Sequence, residues 1–236
     1  MAEREQLTPT YRFALGICVP TVRLWGRLQV EGLEHVPAAG PLIVAGNHDS
    51  YWDPVVVGLA ANSLRQIRAL SKSSLWKVKG LDRVLDGMGQ IPVVRGTKDT
   101  DALERAMTEL RGGACVGIFP EGTRSLGRPL RARSGLGRLA AAVPEAKVVL
   151  SAASGTTDIA RLGRRPRLKV VFFEPRGGQM EPGEDPTDFA VRCLAELRER
   201  APISVAGRRR EKALATGVSP DPEPAPPERE EIIPPA

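Results

Sequence analysis

"AGNHDSYWDP", residues 45–54, carries an apolar run directly into a histidine, two aspartates and two aromatic residues before it reaches proline. Upstream, "PLIVAGN" (41–47) has the apolar run of a buried strand, bounded by Pro41 and Gly46. Downstream, Asp53 suits an N-cap and Pro54 a first helical position, opening a helix through "PVVVGLAANSL" (54–64). A strand that turns at once into a helix is the unit of an α/β sheet, so this junction sets the fold class.

The same alternation continues on both sides. "RLQVEGLEHVP" (27–37) reads as a half-buried strand through Leu28 and Val30. "IRALSK" and "QIPVVR" are short strand candidates around the helix-like "SLWKVKGLDRVLDG" (74–87). In "DALERAMTELRGG" (101–113), Leu103, Ala106, Met107 and Leu110 recur at helical spacing, and Gly112-Gly113 ends the run. "ACVGIFP" is the next strand, followed by the basic loop "EGTRSLGRPLRARSG" and the short helix "GLGRLAAAVP". "AKVVLSAAS" and "RLKVVFFEP" are strands, and "DPTDFAVRCLAELRERAP" (185–202) repeats the capped amphipathic pattern. The expected fold is a single α/β domain over 28–205, a central mixed β-sheet covered by helices. Residues 206–236 lose the pattern, and seven prolines fall within 219–236, so a disordered Pro- and charge-rich tail is expected there.

Charge narrows the partners. The 236 residues carry a formal +6, but 206–236 hold five basic and six acidic residues, which leaves the body at +7. A basic body suits anionic partners, whether phosphorylated small molecules, lipid headgroups or nucleic acid. Aromatics are only 4% and do not interleave with the basic residues, which makes nucleic acid the weaker choice. Cys18, Cys115 and Cys193 are scattered and odd in number, which argues against a disulfide framework and for a reducing, cytosolic compartment. With no CxxC and no Cys/His cluster, no metal site is expected. The apolar "FALGICV" (13–19) is far short of the ~20 residues of a bilayer span and lacks a cleavage site. Residues 11–28 nevertheless mix apolar residues with Arg12, Arg23, Arg27 and Trp25. Segment 1–27 therefore suits either a lipid interface or a helix packed on its own domain.

Two short motifs carry the chemistry. A neutral histidine can take a proton from a hydroxyl, and a carboxylate on its other ring nitrogen would hold the tautomer. His48 and Asp53 lie about 140° apart on an ideal helix, so they converge only if His48 sits in the turn before a helix that starts at Asp53. The competing reading is a helix cap beside an ordinary turn histidine. "FPEGTRS" (119–125) ends a buried strand and then offers a carboxylate, a permissive glycine, a hydroxyl and the planar fork of Arg124. Alone it is equally well an ordinary surface turn.

Together these segments resemble the glycerolipid acyltransferase family, and within it the bacterial 1-acylglycerol-3-phosphate acyltransferases. "NHDSYWD" matches the family's histidine and aspartate separated by four residues, "GQIPVVR" its second motif, and "FPEGTRS" its third almost letter for letter. The resemblance runs from about residue 28 to 200. It implies acyl transfer from coenzyme A or acyl carrier protein to the sn-2 hydroxyl of lysophosphatidate, giving phosphatidate, without a cofactor. It further implies His48 as general base with Asp53 orienting it, and substrate binding by Arg95, Glu121, Gly122, Thr123 and Arg124. In that scheme Arg95 and Arg124 grip the phosphate, and Glu121 fixes the arginine and the loop. An acyl thioester donor, a lysophospholipid acceptor and an anionic membrane are the implied partners. The implied location is cytoplasmic, peripheral on the inner face of the cell membrane. One departure stands out: the fourth segment, "VVLSAASGTTD", has Leu150 where the family has proline, which raises the possibility of an altered pocket wall. That leaves open an acyltransferase for another lysophospholipid or a lipid-linked sugar, a thioesterase, or a non-catalytic membrane-binding relative.

Overall fold

The computed structural model describes residues 6–94, 100–159 and 165–205. Arg95 and the 206–236 tail lie outside the described residues. Seven strands form one sheet: β1 (Gln29–Glu31), β2 (Leu42–Gly46), β3 (Ile67–Lys72), β4 (Ile91–Val93), β5 (Cys115–Ile118), β6 (Lys147–Ser154) and β7 (Lys169–Phe173). Their order is β1-β7-β6-β2-β5-β3-β4, with every neighbour parallel except the antiparallel β6–β7 pair. The sheet is therefore mixed, as expected. β2 is buried at all five positions because it lies between β5 and β6 with helices on both faces, the setting in which a strand reads as a continuous apolar run. β1 is the exception to its expectation: as an edge strand all three of its residues are exposed.

Six α-helices cover the sheet: α1 (Pro9–Val19), α2 (Asp53–Ala61), α3 (Leu81–Gly87), α4 (Thr100–Arg111), α5 (Gly135–Ala142) and α6 (Pro186–Arg200). On one face, Ile43, Ala45, Val116 and Leu150 of the sheet meet Ala106 and Leu110 of α4, Leu136 and Leu139 of α5, and Phe189 and Leu197 of α6. The Asp185 side chain caps α6 by accepting from the Thr187 and Asp188 N–H groups. On the other face, Val44, Val149 and Phe172 pack against α2 and against Tyr11 and Leu15 of α1.

Pro20 does not end the first helix. The chain continues as a π-helix over Pro20–Trp25, where the Gly26 N–H reaches back five residues to the Thr21 carbonyl at 2.9 Å. Proline lacks an N–H and crowds the carbonyl one turn earlier, and a widened turn accommodates both.

Candidate active site

β5, β2 and β6 lie side by side and parallel, so their carboxyl ends open on one edge, where open α/β sheets bind ligands. Register then sets the geometry. Ala45 pairs with Ile118, so His48 and Glu121, each three residues farther on, arrive at the same level. Gly46 pairs with Ser151, and β6 delivers Thr156 to that edge.

Asp53 is the first residue of α2, one position inside the cap expected of it, and is fully buried. Its carboxylate turns back over the preceding loop. Oδ2 accepts from the Asp49 and Ser50 N–H groups, both at 2.7 Å, and from His48 Nδ1 at 3.0 Å; Oδ1 accepts from the Thr156 hydroxyl at 2.5 Å. Four donors replace the water that a buried carboxylate has lost. Since the carboxylate accepts, His48 Nδ1 carries the hydrogen, and Nε2 keeps its lone pair. The His48 ring is stacked on Phe119, with centroids 4.3 Å apart.

Glu121 is 2% exposed, and its partner is not the one expected. It does not hold Arg124. Its Oε1 accepts from Arg198 Nε and Nη2 at 3.1 and 2.5 Å, and its Oε2 accepts from the His48 backbone N–H at 2.7 Å. Burial raises the pKa of its carboxyl, while Arg198 and the His48 N–H oppose that rise. Arg198 also makes a two-pronged pair with Asp49, both contacts at 2.9 Å, and the Ser125 hydroxyl donates to Asp49 Oδ1. The hydrogen bonds to Asp49 and Glu121 outweigh burial and hold the guanidinium pKa above its ordinary value.

The Arg124 loop adjoins the histidine loop, since the Ser125 N–H donates to the His48 carbonyl at 2.8 Å. Arg124 itself lies 3.7 Å from the centre of the exposed Tyr51 ring and donates to its hydroxyl. Gly122 has φ +69°, and a Cβ there would come within 2.6 Å of the Arg133 side chain. The space it leaves is taken by Arg133, where the sequence suggested a ligand. Thr123 sits half-buried between these residues. Thr156 and Arg198 were missed by sequence reasoning. Thr156 falls inside the quoted fourth segment, but nothing local to Arg198 marks it.

An apolar cavity of about 310 Å³ opens beside the site. Leu15 and Cys18 of α1, Val57 of α2, Ala69 of β3 and Leu85 of α3 line it, and Phe119 connects it to His48. Leu150 takes no part in that wall. Ser151 does, because neighbouring strand residues point to opposite faces and Leu150 lies in the α4–α5–α6 core. The departure from the family pattern thus leaves the pocket untouched. No group of three or more His, Cys, Asp or Glu side chains among the described residues could hold a metal.

A family model described as Acyltransferase matches residues 27–159. The 1-acyl-sn-glycerol-3-phosphate acyltransferase of Bacillus subtilis is 25% identical over 165 residues, 70% of this chain and 81% of that protein. The enzyme of the same name from Borreliella burgdorferi is 34% identical over 107 residues, 44% of this chain and 42% of its own. The chloroplastic LPAT1 of Arabidopsis thaliana is 32% identical over 102 residues, 42% of this chain and 28% of its own. Among solved structures, the 1-acyl-sn-glycerophosphate acyltransferase PlsC of Thermotoga maritima has the same fold, with a TM-score of 0.55 and 22% identity, covering 80% of this chain and 83% of that one. The match to the family model takes in more than half of the chain, including both the His48–Asp53 loop and the Glu121 loop, and the chain belongs to the acyltransferase family.

Proposed function

We propose that the protein transfers an acyl group from a thioester donor to the sn-2 hydroxyl of 1-acylglycerol-3-phosphate, making phosphatidate. The observation that carries this reading is the buried Asp53 carboxylate 3.0 Å from His48 Nδ1, with the imidazole stacked on the residue that links it to an apolar cavity. His48 Nε2 takes the hydroxyl proton as the oxygen attacks the thioester carbonyl. The tetrahedral adduct then expels the thiolate, which recovers the proton from the imidazolium. Asp53 holds the ring and stabilises the imidazolium as it forms. The reaction as written calls for no metal or prosthetic group. Arg124 meets the acceptor phosphate, with its guanidinium fork matched to phosphate oxygens; Arg95 joins it in this reading. The apolar cavity takes an acyl chain.

The enzyme docks peripherally on an anionic membrane, at the inner face of the cell membrane. Phe13, Ile17 and Leu24 of the first helix are 65–68% exposed, beside the exposed Arg12 and Arg23. Each basic residue close to such a surface adds about 1 kcal/mol of attraction. No helix among the described residues is long and apolar enough to cross a membrane.

Mass spectrometry of lipid products, with lysophosphatidate and acyl-coenzyme A as substrates, tests the reading. Wild type forms phosphatidate; His48→Ala loses about 10²–10⁴-fold in rate, the usual worth of a general base. Equal use of acceptors lacking the glycerol phosphate would refute the acceptor assignment. Thioester cleavage without an acceptor would replace it with hydrolysis.

A further inference from the structure

Arg198 lies near the carboxyl end of α6, well past residue 159, where the family match ends, yet its guanidinium reaches the centre of the site. Its side chain is only 15% exposed, and the two carboxylates it meets, Asp49 and Glu121, are 4% and 1% exposed. We propose that Arg198 is a positioning residue for the acyl transfer: a guanidinium strap that ties the histidine loop to the Glu121 loop and so fixes His48 over Phe119. The proposal rests on the acyl-transfer reading above.

The connectivity is short. On one side Arg198 holds Glu121 Oε1, and Glu121 Oε2 holds the backbone N–H of His48. On the other it grips both oxygens of Asp49, whose own backbone N–H donates to the Asp53 carboxylate that orients the His48 ring. The main chain and the ring of His48 are thus steadied through two separate arms that meet in one planar group. Only a fork with several donors in a fixed plane can serve both carboxylates at once; the ammonium of lysine, a single point charge, cannot. Removing the cation leaves two buried carboxylates facing each other, which moves the loops or neutralises one acid.

Glu121 is the acid that neutralises. Burial already raises its pKa, Asp49 raises it further, and Arg198 is the charged group that opposes both. The His48 imidazole is the remaining titratable group in the adjoining loop. Without Arg198 the Glu121 carboxyl keeps its proton to higher pH, and its hold on the His48 N–H weakens over that range.

The test uses the full chain with Arg198→Met, Arg198→Lys and Asp49→Ala, assayed for phosphatidate formation and by NMR of the imidazole nitrogens. Only two histidines are present, and His35→Gln assigns their signals. Arg198→Met is expected to lower kcat by about 100-fold, the scale of a 1 Å misplacement, with acceptor KM within about twofold of wild type. The acid limb of its kcat profile moves to higher pH, and Arg198→Lys recovers roughly a tenth of the lost rate, since it restores the charge without the fork. In the spectra, the single Nδ1–H tautomer of His48 gives way to a mixture. Folded Arg198→Met with unchanged kcat, an unchanged acid limb and an unchanged His48 tautomer would overturn the proposal. If that variant does not fold, Asp49→Ala, which keeps the backbone N–H to Asp53, decides by the same readouts. A wild type that acylates no lysophosphatidate would refute the proposed reaction, and the tautomer of His48 in the variants would still decide the strap.

Discussion

The two faces of the sheet are built from the same kinds of residue but finished differently. Toward α4, α5 and α6 the apolar side chains close into a filled core, and the helices turn charged residues to solvent. Toward α1, α2 and α3 the packing stops short and leaves the cavity of about 310 Å³, while the first helix turns Phe13, Ile17 and Leu24 outward. Interiors close-pack wherever nothing forbids it, and apolar residues on an outer helix face cost solubility. The face with both an internal void and an external apolar stripe is therefore the face that handles lipid; the filled face supports the edge on which the catalytic loops stand.

The strongest way to break this contrast is to charge the stripe. Full burial of a Phe or Ile side chain is worth about 1.5–3 kcal/mol, so Phe13→Glu with Ile17→Glu should lower binding to anionic vesicles by roughly 10²–10⁴-fold. Thermal stability should stay within about 0.5 kcal/mol, because both residues are already exposed in the folded protein. Vesicle co-sedimentation together with a melting curve measures both. Undiminished sedimentation would assign the stripe no role at a membrane.

A pair of identical substitutions compares the interiors. Ala106, in α4, is fully buried in the filled core, and Ala106→Leu should cost about 1–3 kcal/mol through overpacking. Ala69 lines the cavity, where Ala69→Leu finds room for its added carbons and should leave stability nearly unchanged. The second variant should instead shift donor preference toward shorter acyl chains, read as kcat/KM across a series of acyl-coenzyme A lengths. Equal destabilisation at the two positions would mean that the void is not available to a ligand.

Most of this architecture was legible in local sequence, because what makes β2, α2, α4 and α6 is local: an apolar run, a proline in the first turn, a three- and four-residue spacing, a capping aspartate. The His48–Asp53 pair was legible for the same reason, as both ends of one turn. Glu121 was visible as a site residue but not with its partner, since Arg198 is 77 residues away and an arginine on an amphipathic helix looks like any solvated charge. The bond from Thr156 to Asp53 spans 103 residues and depends on β6 lying next to β2, which no periodicity reveals. The Leu150 question turned on strand parity: register places Leu150 opposite Ala45 and Ser151 opposite Gly46, so the unusual residue points into the core and its neighbour into the cavity. Pro20 misled because a proline normally ends a helix, and the π-turn that accommodates it has no local sequence sign.

Cysteine chemistry gives the smallest effect and separates the two faces without altering either. Cys193, on the filled face, has its thiol pushed up to about 12 by burial and should resist maleimide in the native protein, as should the fully buried Cys115. Cys18 lines the cavity and is partly open to solvent, so it should label, though slowly, because burial raises its pKa as well. The thiolate is the reactive form, so its labelling rate should keep climbing with pH beyond the point where a free cysteine levels off. A non-reactive acyl-coenzyme A analogue whose chain fills the cavity should slow Cys18 further and leave the other two cysteines unaffected. Cys193 reacting before Cys18 would reverse the assignment of filled and hollow faces.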